Sequence, residues 1–239
     1  MKIENKTILV TGANRGIGRA LVEEALQLGA KRIYAGTRTE MTHPDPRVIP
    51  LILDVTNEEQ IREAVRTVGS LDVLINNAGV AYYDDLSDRT MLNRHLAVNF
   101  FGTYDLIQAF LPALMRSRGA IVNNLSMVAL ASFPPIASYS ISKAAAFSLT
   151  QSFRAFLAGK GIKVYAVLTG PVDTDMNRGL DIPKASPESA ARAIYAGVEQ
   201  EEEEIFPDPA SASIAESWRG SAAKALERQN AASIGVIAR

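Results

Sequence analysis

Short apolar segments alternate with helical patterns along almost the whole chain. The segments are Ile8–Val10, Ile33–Ala35, Val48–Leu53, Val73–Ile75, Ala120–Val122 and Val164–Leu168. Each is continuously apolar, as expected of strands that are buried on both faces. Because strand–helix–strand units pack as parallel strands with right-handed crossovers, this order predicts an α/β fold. We expect a doubly wound parallel sheet with helices on both of its faces.

Residue patterns also predict where several helices begin and end. The segment Ile17–Leu28 is followed by a glycine, which commonly ends a helix. Thr56-Asn57-Glu58-Glu59 is typical of a capping box and predicts a helix that reaches about Val68. Ser186-Pro187 and Asp208-Pro209 each place a capping side chain before a first-turn proline, which predicts two further helix starts.

No boundary between domains is visible in the sequence. We find no internal repeat, low-complexity linker or break in composition, so a single domain is expected over residues 1–239. The run Glu201–Glu204 is interpreted as a solvated helix end before a short strand at Ile205–Phe206. A C-terminal helix is predicted at about 209–229, and the residues that share one of its faces are Ile214, Trp218 and Leu226. That stripe suits either internal packing or contact with a partner subunit.

Composition and charge exclude several classes of protein. Of the 239 residues, 47% are hydrophobic and 21% are charged, which is too apolar for a disordered chain. The formal net charge is -1, so the basic excess of a nucleic-acid or anionic-membrane binder is missing. No apolar run approaches the ~18 residues of a membrane span, and no signal-peptide pattern precedes the first strand. We therefore expect a cytoplasmic protein with no nucleic-acid and no membrane partner.

Cysteine and histidine usage limits the chemistry further. The chain has no cysteine, which excludes disulfides, thiolate nucleophiles and cysteine-ligated metal sites. Its only two histidines, His43 and His95, lie far apart in sequence and form no metal-binding pair. We expect no metal site.

A glycine-rich segment follows the first predicted strand and leads into a helix. It reads Thr11-Gly12-Ala13-Asn14-Arg15-Gly16-Ile17-Gly18. Glycines let main-chain N–H groups approach a pyrophosphate closely, and the helix N-terminus adds partial positive charge facing that anion. The strand-before, helix-after context favours a nucleotide site over an ordinary tight turn and makes the predicted fold Rossmann-type. The spacing is Gly-x-x-x-Gly-x-Gly, which differs from the usual dinucleotide fingerprint.

Further motifs follow the later strands in order. Asn76-Asn77-Ala78-Gly79 follows the fourth strand, Ser126 follows the fifth, and Tyr139-Ser140-Ile141-Ser142-Lys143 begins thirteen residues after that serine. With the glycine loop, these motifs make the chain resemble the short-chain dehydrogenase/reductase family, in its short single-domain branch of NADP-preferring carbonyl reductases. The resemblance extends from Lys6 to about Phe206.

Tyr139 and Lys143 are the candidate reactive pair. They are four residues apart, so on a helix they share one face at a separation of about 6 Å. A neighbouring ammonium stabilises a phenolate and is expected to lower the pKa of Tyr139, which can then protonate a carbonyl or deprotonate an alcohol. Ser126, at the carboxyl end of a strand, can hold the substrate oxygen beside it. No Gly-x-Ser-x-Gly elbow surrounds this serine, which argues against a serine hydrolase.

The resemblance implies a role for Asn99 and a set of cofactor contacts. The asparagine that corresponds to Asn99 bonds the main chain and helps to hold a water that leads protons to the lysine. Asp54 is implied to accept from the adenine amino group, although the residues alone fit a helix-start aspartate equally well. The implied cofactor contacts are Gly12, Asn14, Arg15, Gly16, Ile17, Gly18, Thr37, Arg38, Asp54, Val55, Asn77, Ala78, Gly79, Tyr139, Lys143, Gly170, Val172 and Thr174. Thr169 stands where the family usually has a proline, a departure that bears on the rigidity of its loop.

The second strand indicates the choice of cofactor. It ends in Gly36-Thr37-Arg38, and no carboxylate appears before Glu40. Members that prefer NAD carry an acidic side chain here, which bonds the ribose hydroxyls and would repel a 2′-phosphate. Arg38 and Arg15 can instead form a guanidinium clamp for that phosphate, unless both are simply solvated. The sequence therefore predicts NADP over NAD.

The substrate side is predicted to be apolar. Residues 127–137, between the candidate serine and tyrosine, are almost wholly hydrophobic and serve either the pocket or subunit packing. Residues 175–186 are predicted to form a short substrate loop beside an open cleft. The side chains expected to line that cleft are Tyr82, Tyr83, Met176 and Leu180.

These features together predict NADPH-dependent reduction of a ketone to a secondary alcohol, reversible as an alcohol dehydrogenase. Tyr139 would donate the proton, Ser126 would steady the oxygen, and Lys143 would tune Tyr139 and hold the ribose. Two alternatives stay open: a 3-ketoacyl-thioester reductase, which would want a basic patch near its entrance, and an NADP-sensing regulator without turnover. The resemblance also implies a homotetramer or homodimer formed through the helices that bear Asn99 and Tyr139.

Overall fold

Parallel strands form one central sheet in the computed structural model, which describes residues 1–233. The strands are β1 Thr7–Thr11, β2 Arg32–Thr37, β3 Val48–Ile52, β4 Val73–Asn76, β5 Ala120–Asn124, β6 Lys163–Val167 and β7 Glu204–Ile205. Their order across the sheet is β3-β2-β1-β4-β5-β6-β7, and every neighbouring pair is parallel. The predicted doubly wound α/β fold is confirmed.

Helices cover both faces of this sheet. They are α1 Gly16–Gln27, α2 Glu58–Val68, α3 Arg89–Leu96, α4 Gly102–Ser117, α5 Ala137–Ala158, α6 Pro187–Glu199, α7 Pro209–Ala212, α8 Ala215–Arg219 and α9 Ala222–Ala232. A π-helical turn, Ala97–Phe101, joins α3 to α4. Within residues 1–233, no helix combines the length and the apolar character needed to cross a membrane.

The core has two main layers, one on each face of the sheet. Ile8 and Val10 of β1 pack in the layer that includes α1 and α6, whereas Leu9 packs in the layer that includes α2, α4 and α5. All three side chains are fully buried. Because successive side chains of a strand point to opposite faces, a strand covered on both faces is mostly apolar along its length. Each such side chain contributes about 2 kcal/mol by its burial.

The predicted helix caps are confirmed at Ser186 and Asp208 but not at Thr56. Helix α2 begins after Asn57, whose side-chain oxygen accepts two main-chain N–H bonds. The Thr56 hydroxyl donates instead to the Asp54 carboxylate at 2.7 Å. Thr56 therefore closes the turn before the helix rather than capping it.

The prediction of one C-terminal helix at 209–229 is wrong. The segment divides into α7, α8 and α9, and the Ser221 side chain caps the last of these. Trp218 packs edge-on against Phe147 of α5, with 5.5 Å between ring centres, whereas Leu226 is 55% exposed. The predicted stripe is thus split between internal packing and the surface.

Buried ion pairs hold α9 against the end of the sheet. Lys224 is 1% exposed and lies 2.9 Å from a carboxylate oxygen of Glu204 and 2.9 Å from one of Glu227. Arg154 of α5 contacts the same two carboxylates at 2.7 and 2.6 Å. Charges buried in this way must be paired to be tolerated. The interpretation of Glu201–Glu204 as a solvated run is therefore wrong for Glu204.

Candidate active site

A cleft of about 740 Å³ lies where β1, β2, β4, β5 and β6 end. Strands β1 and β4 are neighbours, but the chain leaves them towards opposite sides of the sheet. Open α/β sheets bind ligands at such a switch point. Every predicted cofactor-contact residue lines this cleft, as do Ser126, Tyr139 and Lys143. Asn99 does not line it.

The glycine loop forms one wall of the cleft. Gly12 and Gly16 have φ angles of +66° and +52°, in the left-handed region that favours glycine. A Cβ atom on Gly18 would lie 2.0 Å from the main-chain oxygen of Gly12, so no larger residue fits there. The side chain of Arg15, the residue before α1, makes no capping bond to the first turn. This backbone cradle at a helix N-terminus fits the pyrophosphate of a dinucleotide.

Amide side chains tie the strand ends together beneath the cleft. Asn77 Nδ2 donates to the carbonyl oxygens of Thr11 and Gly12 at 2.9 and 3.3 Å. Asn124 Nδ2 donates to Asn77 Oδ1 at 2.9 Å, and the Thr169 hydroxyl donates to Asn124 Oδ1 at 2.7 Å. These bonds link β1, β4, β5 and the loop after β6. Asn77 therefore helps to hold the sheet together at this edge, and Thr169 gains an anchoring bond that a proline could not make.

Tyr139 and Lys143 project from the first turns of α5 and are buried. Lys143 Nζ lies 5.6 Å from the centre of the Tyr139 ring and donates to the main-chain oxygen of Asn124 at 2.8 Å. Burial raises the pKa of Tyr139 to about 12, while the Ser126 hydroxyl acts in the opposite direction. Burial also lowers the pKa of Lys143 to about 8. The expected lowering of the Tyr139 pKa is therefore wrong for this structure, because desolvation outweighs the opposing hydrogen bond with Ser126.

Ser126 lies at the end of β5, directly before a short 3₁₀ turn. Its hydroxyl accepts from the Val128 N–H at 3.3 Å and is close enough to the Tyr139 phenol to act on the pKa of that group. The serine is 7% exposed and lines the cleft. Ser126 and Tyr139 thus bring two hydroxyl groups to one point, where both can bond a single substrate oxygen.

Asn99 lies in the π-helical turn behind the cleft. Its Oδ1 accepts from the Val80 N–H and its Nδ2 donates to the Val80 carbonyl, both at 2.9 Å. Nδ2 also donates to the Ser142 hydroxyl at 2.9 Å. The main-chain bonding implied by the resemblance is therefore present, and it fixes the segment that leaves β4.

Two further side chains hold the segment that follows Val80. The Tyr82 N–H donates to Nε2 of His95 at 3.0 Å, and His95 is fully buried. The Asp84 carboxylate accepts from the Ser138 N–H at 3.2 Å, at the start of the helix that carries the reactive pair. Residues 80, 82 and 84 are thus each anchored by a bond to another element, and we call residues 80–84 the wall segment.

The residues predicted to select the cofactor lie at one end of the cleft. Thr37 is 2% exposed and its hydroxyl donates to the carbonyl of Thr39 at 2.5 Å. Arg38 is exposed and lines the cleft. Arg15 lies 3.1 Å from a carboxylate oxygen of Asp175, in an exposed ion pair. The predicted clamp therefore has one arginine that is already paired to an acid.

Asp54 fits both of the interpretations that the sequence leaves open. Its carboxylate accepts from the N–H and the hydroxyl of Thr56, at 2.9 and 2.7 Å, as a helix-start aspartate does. It also lines the cleft, next to Val55.

Apolar side chains surround the other end of the cleft. Those predicted to line it, Tyr82, Tyr83, Met176 and Leu180, all do so. From the apolar stretch 127–137, the lining residues are Met127, Val128, Phe133 and Ile136. The predicted substrate loop begins with a 3₁₀ turn at Asp175–Asn177 and continues without regular structure to the cap of α6.

Comparison with known proteins decides the family. Residues 6–184 match the family model described as short chain dehydrogenase. The chain belongs to the short-chain dehydrogenase/reductase family. The predicted family is thus confirmed.

Relatives of this short-chain dehydrogenase come from several organisms. A short-chain dehydrogenase of Penicillium ochrochloron is 40% identical over 184 residues, which cover 72% of this chain and 68% of that protein. The 3-oxoacyl-[acyl-carrier-protein] reductase of Thermotoga maritima is 33% identical over 221 residues, covering 86% of this chain and 89% of the relative. A solved short-chain dehydrogenase from Burkholderia cenocepacia, in complex with NADP, has a TM-score of 0.88 at 37% identity and covers 96% of this chain and 98% of its own.

Sequence reasoning missed three side chains of this short-chain dehydrogenase site. Asn124 was recognisable as a polar residue at the end of a strand next to the Asn77 motif. His95 lies in a helical pattern four residues before Asn99, a spacing that places both on one helix face. Asp84 carries no local signal, since it acts on a helix that begins more than fifty residues later.

Proposed function

We propose that this protein is an NADPH-dependent carbonyl reductase that reduces a ketone to a secondary alcohol and runs in reverse as an alcohol dehydrogenase. The observation that carries the proposal is the convergence of Ser126, Tyr139 and Lys143, each more than nine-tenths buried, on the cleft that the glycine cradle also lines. A group of two hydroxyls and a cation beside a dinucleotide cradle suits proton transfer to a carbonyl oxygen. An NADP-sensing regulator without turnover would not need all three.

Ser126, Tyr139 and Lys143 each have a separate role in the proposed reduction. A bound NADPH supplies the hydride. The Ser126 hydroxyl donates a hydrogen bond to the substrate carbonyl, which holds that oxygen next to Tyr139. With a pKa raised to about 12, Tyr139 is protonated at neutral pH and donates its proton to the oxygen as negative charge develops there. Lys143, held by the Asn124 carbonyl, would stabilise the resulting phenolate electrostatically and would hold the cofactor by its ribose.

Asn99 is proposed to help replace the proton that Tyr139 gives up, by way of a water and Lys143. The position that a Cβ of Gly79 would occupy is 3.2 Å from Asn99 Oδ1 and 3.6 Å from Lys143 Nζ. A water held close to this glycine would therefore lie near both groups and could pass a proton to Lys143. Asn99 acts in this scheme by fixing the main chain of Val80 and shaping the water site.

Two observations support NADPH as the cofactor. The end of β2 presents Thr37 and Arg38 to the cleft with no carboxylate, so a 2′-phosphate meets a cation there and no negative charge. The Burkholderia cenocepacia relative was solved with NADP.

A hydrophobic ketone fits the cleft better than a carrier-protein thioester. The Thermotoga maritima relative is a 3-oxoacyl-[acyl-carrier-protein] reductase, so that alternative stays the first rival. An acidic carrier protein needs unpaired basic side chains at the entrance. Here Arg15 and Arg178 both pair with Asp175, and Lys184 lies 4.0 Å from Asp173. Each basic side chain of the substrate loop therefore has an acidic partner, although Arg15 and Arg178 share one carboxylate.

A homodimer or homotetramer is proposed through α4 and α5. Large apolar side chains are exposed on these two helices and on the adjoining π-helical turn; they are Phe101, Tyr104, Met115, Ile141 and Phe156. Exposed apolar side chains of this size are typical of a subunit interface where they lie together on one face. Light scattering coupled to gel filtration would measure the number of subunits, and a monomer at micromolar concentration would contradict this part.

The test of the proposed function is oxidation of NADPH, and in parallel of NADH, over aryl ketones, aliphatic ketones and acyl-thioester ketones. We expect turnover with hydrophobic ketones, faster with NADPH than with NADH. Turnover confined to acyl thioesters would favour the rival reductase. Tight NADPH binding without turnover on any ketone would favour the sensor.

A further inference from the structure

His95 is a fully buried titratable side chain to which the proposed proton transfer gives no role. Its Nδ1 lies 2.8 Å from the carbonyl oxygen of Met91, which can only accept, so Nδ1 carries the proton. Its Nε2 lies 3.0 Å from the N–H of Tyr82, which can only donate, so Nε2 is unprotonated. Both main-chain partners have fixed polarity. They select one neutral tautomer and one orientation of the ring.

The imidazole also separates the wall segment from the candidate proton donor. Its ring lies edge-on to Tyr82, with 5.5 Å between centres, and to Tyr139, with 6.3 Å between centres. Arg94, the preceding residue of α3, places its guanidinium 4.9 Å from the centre of the Tyr82 ring. Helix α3 thus holds both the main chain and the side chain of Tyr82.

The wall segment depends on these side chains because it belongs to no strand or helix. Only an isolated bridge at Asp84 interrupts its irregular course. Without ladder partners, its main-chain N–H groups must find side chains or water. The Val80 N–H bonds to Asn99, and the Tyr82 N–H bonds to His95. Loss of the His95 acceptor would leave the Tyr82 N–H without its partner, and the segment would shift to reach water.

We propose that His95 is a positioning residue that sets the substrate pocket's preference for bulky ketones, an inference that rests on the proposed function. Tyr82 and Tyr83 line the cleft and are 39% and 69% exposed, so a ketone with a large flank contacts them. A small ketone needs only the hydrogen bonds of Ser126 and Tyr139 to its carbonyl oxygen. The contribution of His95 therefore grows with the size of the substrate, and it acts on KM more than on kcat.

Three substitutions separate this role from simple stabilisation. His95→Leu keeps the bulk but removes both bonds. His95→Asn keeps an amide donor near the Met91 carbonyl but is too short to accept from Tyr82, and it serves where His95→Leu does not fold. His95→Gln places an amide oxygen within reach of the Tyr82 N–H and is the rescue variant. His43→Leu is the matched control, because His43 bonds Glu23 at 3.1 Å and lies outside the cleft.

The experiment measures kcat and KM for a small aliphatic and a bulky aryl ketone, together with hydrogen–deuterium exchange of peptides that cover 80–84. For His95→Leu and His95→Asn we expect KM for the aryl ketone to rise about tenfold, the size of one lost buried hydrogen bond, with faster exchange at 80–84. KM for the small ketone should stay within about twofold of wild type. His95→Gln should restore both readouts, and His43→Leu should change neither.

Equal losses on both ketones, or unchanged exchange at 80–84, would overturn the role of His95. A wild-type protein that reduces neither ketone would instead refute the proposed function. In that case the exchange comparison still decides whether His95 holds the wall segment, and unchanged exchange overturns the proposal on its own.

Discussion

Lys143 donates a hydrogen bond from its ammonium to the main-chain carbonyl oxygen of Asn124 at 2.8 Å. The bond fixes a cation 5.6 Å from the centre of the Tyr139 ring, at a site that is 5% exposed. Burial opposes the charge and lowers the pKa of Lys143 to about 8. The buried charge of Lys143 therefore costs stability, as expected if the lysine has the proposed role in the active site.

Replacing this lysine should stabilise the cofactor-free protein at neutral pH. Because the folded chain binds the proton less tightly than the unfolded chain, the Lys143 contribution to stability rises from about pH 8 to 10.5. Below pH 8 the cost is roughly 3 kcal/mol, against which about 1 kcal/mol is lost with the Asn124 bond. We expect Lys143→Met to raise the free energy of unfolding by about 1–2 kcal/mol at pH 7 in urea titrations.

The same comparison at pH 9.5 provides the check on its cause. There the difference between Lys143→Met and wild type should shrink, since wild-type Lys143 is largely neutral in the folded protein. Lys163→Met is the matched control, because Lys163 is half exposed and pairs with Glu201 at the surface. A less stable Lys143→Met protein at pH 7, or a difference that does not depend on pH, would contradict the interpretation.

The two directions of the reaction should differ in their pH dependence. With its pKa raised to about 12 by burial, Tyr139 carries its proton throughout the neutral range, so ketone reduction should vary little between pH 6 and 8. Alcohol oxidation needs the phenolate and should rise with pH, by up to about tenfold per pH unit. Profiles of kcat/KM in both directions would measure this. Oxidation that is flat from pH 6 to 9 would show that Tyr139 is not the base.

The loop after β6 should depend on the hydroxyl of Thr169. Thr169→Val keeps the shape of the side chain but removes its hydroxyl, so Asn124 Oδ1 loses its hydrogen-bond donor. We expect a loss of about 1–2 kcal/mol in the free energy of unfolding, measured in urea. Thr169→Ser retains the hydroxyl and should lose less than half of that amount. Equal losses in the two variants would show that packing of the methyl group, rather than the bond, stabilises the loop.

Cofactor choice should follow the charge at the end of β2. Thr37→Asp places a carboxylate where a 2′-phosphate would lie, so the ratio of kcat/KM for NADPH over NADH should narrow or reverse. Arg38→Gln should lower kcat/KM for NADPH by about tenfold and leave kcat/KM for NADH nearly unchanged. Arg32→Gln, at the opposite and exposed end of the same strand, is the control. A ratio unchanged by both Thr37→Asp and Arg38→Gln would refute the assignment.

The strands and the set of residues that line the cleft could be predicted because their signals are local. Six apolar runs predict six of the strands to within two residues at each end, since strands that are buried on both faces are mostly apolar. The buried amides Asn76 and Asn123, at the ends of β4 and β5, lie outside those runs. The residues that line the cleft follow strand ends, and parallel strands bring their carboxyl ends to one edge. Thr169 shows the limit of this reasoning: its replacement of a proline was visible, but its bond to Asn124 was not.

Features that depend on distant partners could not be predicted. His95 and Asp84 hold the wall segment through bonds to residues 13 and 54 positions away. The four-residue spacing of Tyr139 and Lys143 suggests their electrostatic attraction, but it says nothing of burial, which here decides the direction of the Tyr139 pKa. The sequence predicts one helix in place of α7 to α9 because the breaks between them are short. Their separate packing against α5 and β7 depends on tertiary contacts that the local sequence does not show.

The most direct test of the central claim is ketone-dependent oxidation of NADPH by wild type and by Tyr139→Phe, with NADPH binding measured for both. Tyr104→Phe is the matched control, because Tyr104 lies outside the cleft and the substitution keeps the aromatic ring that the proposed subunit interface needs. We expect Tyr139→Phe to bind NADPH but to lose at least about a hundredfold in kcat, as removal of a general acid does. Tyr104→Phe should keep wild-type turnover. A Tyr139→Phe enzyme that binds NADPH and retains kcat within about threefold of wild type would contradict the claim that Tyr139 donates the proton.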